Sequence, residues 1–330
     1  MSNTTIHEVA RLAGVSSATV SRVLNQSDKV TTDTRRRVLD AVSQLKYAPN
    51  ASSRNLRTKE SHMLLVILPT LSNPFYSDIL AGMDACTYEN GYNMLVTVNR
   101  SSVTRERELL RLMHQRQADG VVLMTPTLPP EEMAALNAQF PVIQCCEYYE
   151  DIGVPYVSVD NYGASYEATM YLIRSGHHVI AMSSSANNYP STRLREKGFR
   201  QAHIDAGLPL DERLIRRGGY TFDSGFENAQ VFLRMKDRPT AIMGISDVVA
   251  AGAISAVIKA GLRVPDDVSI MGFDNLDMAK MIQPTLSTVM QPRRRMGRTA
   301  VELLLERLRG GEVAHELLLP YELIIRHTTR

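Results

Sequence analysis

Apolar side chains near the start of the chain recur at helical spacing. Ile6, Val9, Ala10 and Ala13 share one face of a first helix, and Gly14 breaks the pattern. Ser16 is a natural N-cap for a second helix whose stripe is Val20, Val23 and Leu24. Only Gly14-Val15 separates the two, the spacing of a helix-turn-helix. A third helix follows a cap at Thr31 or Thr32, burying Val38, Val42 and Leu45 and carrying Arg35, Arg36 and Arg37 outward. After Lys59-Glu60-Ser61 the pattern changes. Short apolar runs at 63–68, 93–98, 120–124, 142–145 and 156–159 read as buried strands, with helical stretches such as 77–90 and 104–117 between them. The alternation resumes at 179–182, 241–245 and 269–272, which predicts a parallel α/β body of two doubly wound lobes. In such sheets ligands bind beyond the carboxyl ends of the strands, in the crevice where the lobes face.

Charge sharpens this division. Residues 1–60 carry ten Lys/Arg against five acids, a net of +5, while the other 270 residues carry 27 basic and 30 acidic side chains, a net of −3. A basic head on a slightly acidic body suits a polyanionic partner. The polar types on the second helix agree. Ser16, Thr19, Ser21 and Asn25 can donate to phosphate oxygens, Arg22 can reach a guanine bidentately, and Ser17 and Ala18 sit where base edges are read. No apolar run approaches the roughly 20 residues a membrane span needs. The N-terminus lacks the basic start and apolar stretch of a secretory signal, so a cytoplasmic protein is expected. Three cysteines, two of them adjacent and none in a CxxC, indicate neither a disulfide framework nor a zinc site.

In the body, strand ends lead to Asn73-Pro-Phe-Tyr76, Thr125, Asp160-Asn161, Ser246-Asp247 and Asp274-Asn275. Aromatics ringed by acids and amides suit a polyhydroxylated ligand such as a sugar or nucleoside, although Asn161, Ser246 and Asp247 are equally placed to cap their following helices.

The stretch Thr5-Ile-His-Glu-Val-Ala-Arg-Leu-Ala-Gly-Val-Ser-Ser-Ala-Thr-Val-Ser-Arg-Val-Leu-Asn25 resembles the DNA-binding head of the lactose-repressor (LacI/GalR) family, and Tyr47-Ala-Pro-Asn50 with the following Ala51-Ser-Ser-Arg-Asn-Leu-Arg57 resembles its hinge helix. The resemblance continues through Asn73-Pro-Phe-Tyr76, Arg195-Glu-Lys-Gly-Phe199 and the run from Gly261 to Asn275, covering nearly the whole chain. Tyr220-Thr-Phe-Asp-Ser-Gly225 and Glu322-Leu-Ile-Ile-Arg326 are similar to the cytidine-repressor branch of the family. Asn187-Asn-Tyr-Pro190 departs from it in a loop that would help select the ligand. The resemblance implies a periplasmic-binding-protein-like body that crosses between lobes near Asn161, Thr288 and Pro320. It adds Thr5, Thr34, Tyr47, Asn50 and a minor-groove wedge at Leu56 to the DNA contacts. In the cleft it implies that Arg195 and Asp274 bond ligand hydroxyls or polar ring edges from facing sides, and that Phe75, Tyr76 and Tyr220 stack on or enclose the ligand, alongside Thr125, Asp160 and Ser246.

Enzymatic signatures are weak. No GxGxxG or GxxxxGK[ST] occurs, Gly244-Ile-Ser-Asp-Val248 lacks the second glycine of a nucleophile elbow, and His177-His178 reads as a turn before a strand rather than a metal site. The expectation is therefore a repressor, not an enzyme and without cofactor or metal. It has a head at 1–49, a hinge at 50–60 and a two-lobed domain at 61–330, with lobe one near 61–160 and 290–320 and lobe two near 161–289 and 321–330. It binds palindromic operator DNA as a homodimer, because Glu322 to Arg330 reads as a short strand and polar tail without a leucine heptad. A solute-binding transport receptor shares the body fold, but it would need a signal peptide and has no use for residues 1–60.

Overall fold

A computed structural model describes residues 5–24, 29–47 and 60–330, and the chain divides into two compact units at Ser61 and His62. In the first unit, α1 (Ile6–Ala13) opens on a reciprocal capping box. The Glu8 amide donates to the Thr5 hydroxyl while the Glu8 carboxylate accepts from the Thr5 amide at 2.7 Å. The helix ends at Gly14, whose φ of 64° is left-handed, the conformation glycine tolerates best. The Ser16 hydroxyl accepts from the Thr19 amide at 3.2 Å ahead of α2 (Ser17–Leu24), and Thr31 caps α3 (Thr32–Gln44). Val9, Ala10, Ala13, Val20, Val23, Val38 and Ala41 are buried together. Val42 and Leu45 are only half-buried. The small Ala41 takes the inner position instead, where α3 packs on α1 and α2.

The second unit alternates strands and helices: β1 (Met63–Leu68), α4 (Phe75–Glu89), β2 (Asn93–Val98), α5 (Val103–His114), β3 (Gly120–Leu123), α6 (Pro130–Asn137), β4 (Val142–Cys145), β5 (Tyr156–Val159), α7 (Asn161–Arg174), β6 (Ile180–Ser185), α8 (Pro190–Asp205), β7 (Ile215–Gly218), α9 (Phe222–Leu233), β8 (Ala241–Gly244), α10 (Asp247–Lys259), β9 (Ser269–Asp274), α11 (Met278–Met281), β10 (Ser287–Met290), α12 (Arg293–Leu308), β11 (Glu316–Leu319) and β12 (Glu322–Ile324). Among the described residues these form two six-stranded sheets, ordered β11-β5-β4-β3-β1-β2 and β12-β10-β9-β8-β6-β7. All pairings are parallel except β10 with β12. Helices cover both faces, which is why β1 and β3 are continuous apolar runs with no solvent side.

Between the sheets the chain passes at Asp160-Asn161, at Gln291-Pro292 and at Pro320-Tyr321, so α12 returns to the first sheet and packs on α4. Gly82 and Gly297 make that crossing close. A methyl group at Gly82 would collide with the Arg294 carbonyl, and one at Gly297 with the Ile79 carbonyl. The end of the chain differs from the polar tail read in the sequence. Thr328 is fully buried: the Ile270 amide donates to its carbonyl at 2.7 Å and the Ser287 amide to its hydroxyl at 2.8 Å. Threonine can finish a sheet in this way because its hydroxyl supplies the acceptor that the missing neighbouring strand would have offered. His177 is likewise structural, its ring nitrogens lying 2.9 Å from the Thr240 hydroxyl and 3.1 Å from that of Ser269. No helix among the described residues is long and apolar enough to cross a membrane.

Candidate functional site

In the head, the apolar stripe of α2 faces inward at Val20 and Val23, which leaves Ala18 and Arg22, one turn apart, exposed on the opposite side. Ser17, Thr19 and Ser21 flank them, half-buried. Helix two therefore presents a donor-rich strip around a small apolar residue, the composition a major-groove reader uses. Several hydroxyls in the set have local partners. Ser16 and Thr19 lie 3.0 Å apart, the Thr5 hydroxyl donates to Glu8, and Thr34 accepts from Thr31 at 3.0 Å. Tyr47 packs half-buried against the head core. Asn25, Asn50 and Leu56 lie outside the described residues.

In the body, the carboxyl ends of the two sheets enclose a cavity of about 170 Å³. Phe75 and Tyr76, at the start of α4, line one side with rings 5.5 Å apart in an edge-to-face arrangement. Burial pushes the Tyr76 phenol far up, so it stays neutral, and Thr125 lies buried beside its hydroxyl. Arg195, Tyr220 and Asp274 line the other side.

Arg195, on α8, is buried and held on all sides. Its Nε donates to Asn161 Oδ1 at 2.8 Å, one Nη donates to the Ile245 carbonyl at 2.7 Å, and its guanidinium lies 3.6 Å over the Phe273 ring. Asp274 ends β9 in the left-handed region at φ 118° and accepts from Gln291 Nε2 at 2.7 Å. The two ions are 4.0 Å apart. Burial pushes the Asp274 carboxyl up to about 6, although the Arg195 charge pulls it back. Both belong to the second sheet, so they stand side by side rather than face each other across the cleft. The physical reason is their origin: α8 and β9 project their ends from one sheet toward the same mouth.

Three expected ligand residues lie off the cavity wall. Asp160 caps α7, accepting from the Gly163 amide at 2.8 Å, and borders a separate open groove beside Tyr148 and Tyr156. Ser246 caps α10, and Thr125 sits behind Tyr76. In their place the fold brings in Glu147, Tyr189, Ser191 and Gln291. Glu147 follows β4 on the first sheet and reaches the N-terminus of α8 on the second, accepting from the Ser191 amide at 3.2 Å and its hydroxyl at 2.5 Å. Burial raises its carboxyl, and the two Ser191 bonds oppose that shift. A carboxylate at a helix N-terminus is favourable, but no local pattern around Glu147 marks it. Only the strand-end rule, applied to β4 as well as to its neighbours, could have found it.

A helix-turn-helix head with an exposed polar reading face, joined to a two-lobed body enclosing a cavity of fixed charges and aromatic rings, is the architecture of a ligand-responsive DNA-binding regulator. Residues 5–50 match the model of bacterial regulatory proteins of the lacI family, and residues 61–327 match that of periplasmic binding proteins and the sugar binding domain of the LacI family. The chain belongs to the LacI family. It is 36% identical over 330 residues to the HTH-type transcriptional repressor CytR of Escherichia coli (strain K12), covering 99% of this chain and 96% of that protein. It is 32% identical to the HTH-type transcriptional repressor PurR of Photobacterium profundum, with 99% and 98% covered. Among solved structures it is similar to the Lac repressor dimer bound to operator and the anti-inducer ONPF, with a TM-score of 0.88 and 28% identity over 99% of each chain. The transcriptional regulator CelR in complex with cellobiose has a TM-score of 0.75 and 29% identity, with 98% of this chain and 99% of that one covered.

Proposed function

We propose that this chain is a cytoplasmic transcriptional repressor that binds palindromic operator DNA as a homodimer and whose DNA affinity is set by a small polyhydroxylated effector, a sugar or nucleoside. The head is residues 1–49, the hinge 50–60 and the effector domain 61–330, with one lobe built on each sheet. Arg22 reads a guanine, Ser17 and Ala18 read neighbouring base edges, Ser16, Thr19, Ser21 and Asn25 hold phosphates, and Leu56 wedges the minor groove. In the cavity, Arg195 and Asp274 bond ligand hydroxyls or polar ring edges while Phe75, Tyr76 and Tyr220 cover its apolar face. The protein works by binding rather than by catalysis.

The observation that carries this reading is the buried Arg195–Asp274 pair, 4.0 Å apart at the wall of an aromatic cavity, on a chain whose head exposes Ala18 and Arg22. The relatives whose structures hold operator, ONPF or cellobiose support it. Selection of bound sites from random DNA tests the first half: a palindrome is expected, and an asymmetric or direct-repeat site overturns the dimer. A thermal-shift panel of sugars and nucleosides tests the second. A ligand at a hundredfold its Kd should add about 2.7 kcal/mol of stability, and silence across the whole panel overturns the effector class.

A further inference from the structure

One thiol of the cavity wall, Cys146, stands against a second, fully buried one, Cys145, and the effector reading uses neither. Cys145 ends β4 and Cys146 follows it, lining the cavity beside Glu147. Successive side chains of a strand point to opposite faces, so neighbouring thiols normally stand apart. Here Cys146 adopts a left-handed φ of 75°, costly for any residue but glycine, and the turn brings its Sγ to 3.8 Å from that of Cys145. The Cys146 amide bonded to the Val157 carbonyl at 2.9 Å, and its carbonyl accepting from Ser158 Oγ at 3.1 Å, hold that turn.

We propose that Cys145 and Cys146 form a dithiol site for monosubstituted trivalent arsenicals, which close a ring across both sulfurs and seat their organic group in the effector cavity. A disulfide is the poorer outcome. Adjacent Cα atoms are about 3.8 Å apart, below the roughly 4.4–6.8 Å of ordinary bridges. A single arsenic atom instead spans sulfurs already in contact. A tetrahedral metal ion lacks ligands, since no cluster of three His, Cys, Asp or Glu occurs among the described residues. The arsenical needs only two, its third bond being to carbon. With an aryl arsenoxide, each thiol passes its proton to the arsenic-bound oxygen, which leaves as water as two As–S bonds form, and no oxidation state changes. Burial pushes the Cys146 thiol well up, keeping this sulfur protonated until the arsenical arrives. Phe75, Tyr76 and Tyr220 supply aromatic walls for a phenyl group.

The chemistry holds whatever effector the cavity takes. Full-length protein treated with phenylarsine oxide should gain one phenylarsenic unit with loss of water, as read by intact mass. Excess 2-mercaptoethanol should leave the adduct in place, and dithiothreitol should remove it. Alkylation mapping of the wild-type protein should show Cys145 and Cys146 protected together, with the buried Cys86 of α4 unprotected. Cys86→Ser should keep the adduct, and Cys145→Ser or Cys146→Ser should lose it. Absence of a monothiol-resistant adduct, protection of only one of the two sulfurs, or retention of the adduct in Cys146→Ser would overturn the proposal.

Discussion

The two walls of the cavity differ in how their polar groups are held. On the second-sheet wall, Arg195 and Asp274 are wired within their own surroundings, to Asn161, the Ile245 carbonyl and Gln291. Two of those partners, Asn161 and Gln291, stand where the chain passes between the sheets. The first-sheet wall offers the rings of Phe75 and Tyr76 and one carboxylate, Glu147, whose bonds run across the cleft to Ser191. The difference teaches a division of labour. On the proposed function, the preorganised second wall would set the orientation of a ligand's polar edge, while the first would cover the apolar face; Glu147 ties the two walls together.

Breaking the preorganised wall should have the largest effect. Arg195→Ala leaves the Asp274 charge buried without its cation, and removing one member of a buried pair typically costs about 3–5 kcal/mol. The expected outcome is a lower urea midpoint and no effector response in a gel shift, with operator binding by the head retained; a normal response at the usual ligand concentration would misplace the site. Glu147→Ala should be milder, about 1.5–3 kcal/mol for the lost charged hydrogen bonds. It should weaken effector binding more than operator binding, and equal losses in both would make the bridge merely structural.

The pH dependence sharpens the contrast further. A hydroxyl donating to Asp274 requires the ionised carboxylate, so effector affinity should hold above pH 6 and fall as pH drops through about 6. Stability runs the other way. Because the folded carboxyl titrates above its ordinary value of 3.8, the native state binds the extra proton in the window from there to about 6, and this group's contribution declines as pH rises through it. Calorimetric titration of the wild type and Asp274→Asn across pH 5–8 checks this: the variant should bind weakly, with a flat profile. Tyr220→Phe should have the smallest effect. It removes neutral hydroxyl contacts, with Thr192 at 3.1 Å and with Ser191, about 0.5–1.5 kcal/mol, and should leave operator recognition untouched in a binding isotherm.

The head was legible in the chain because its information is local. Helical spacing of Val9, Ala13, Val20 and Val23, caps at Thr5 and Ser16 and the break at Gly14 all act within a few residues, and by burying one face they expose Ala18 and Arg22 on the other. Alternating apolar runs likewise announced the two parallel lobes, since strands covered on both faces must be apolar throughout. Phe75, Tyr76 and Asp274 were marked by the strand-end rule, Arg195 and Tyr220 by resemblance alone, and all five lie on one cavity. What remained hidden depends on contacts between distant segments. The inner face of α3 turns on Ala41, and Thr328 is taken into the second sheet. Glu147 meets Ser191 across 44 positions of sequence, and Cys146 meets its neighbour only through a left-handed turn. Periodicity determines which face of an element is buried; it carries no record of which distant element will cover that face, and in this protein that pairing decides where the buried charges go.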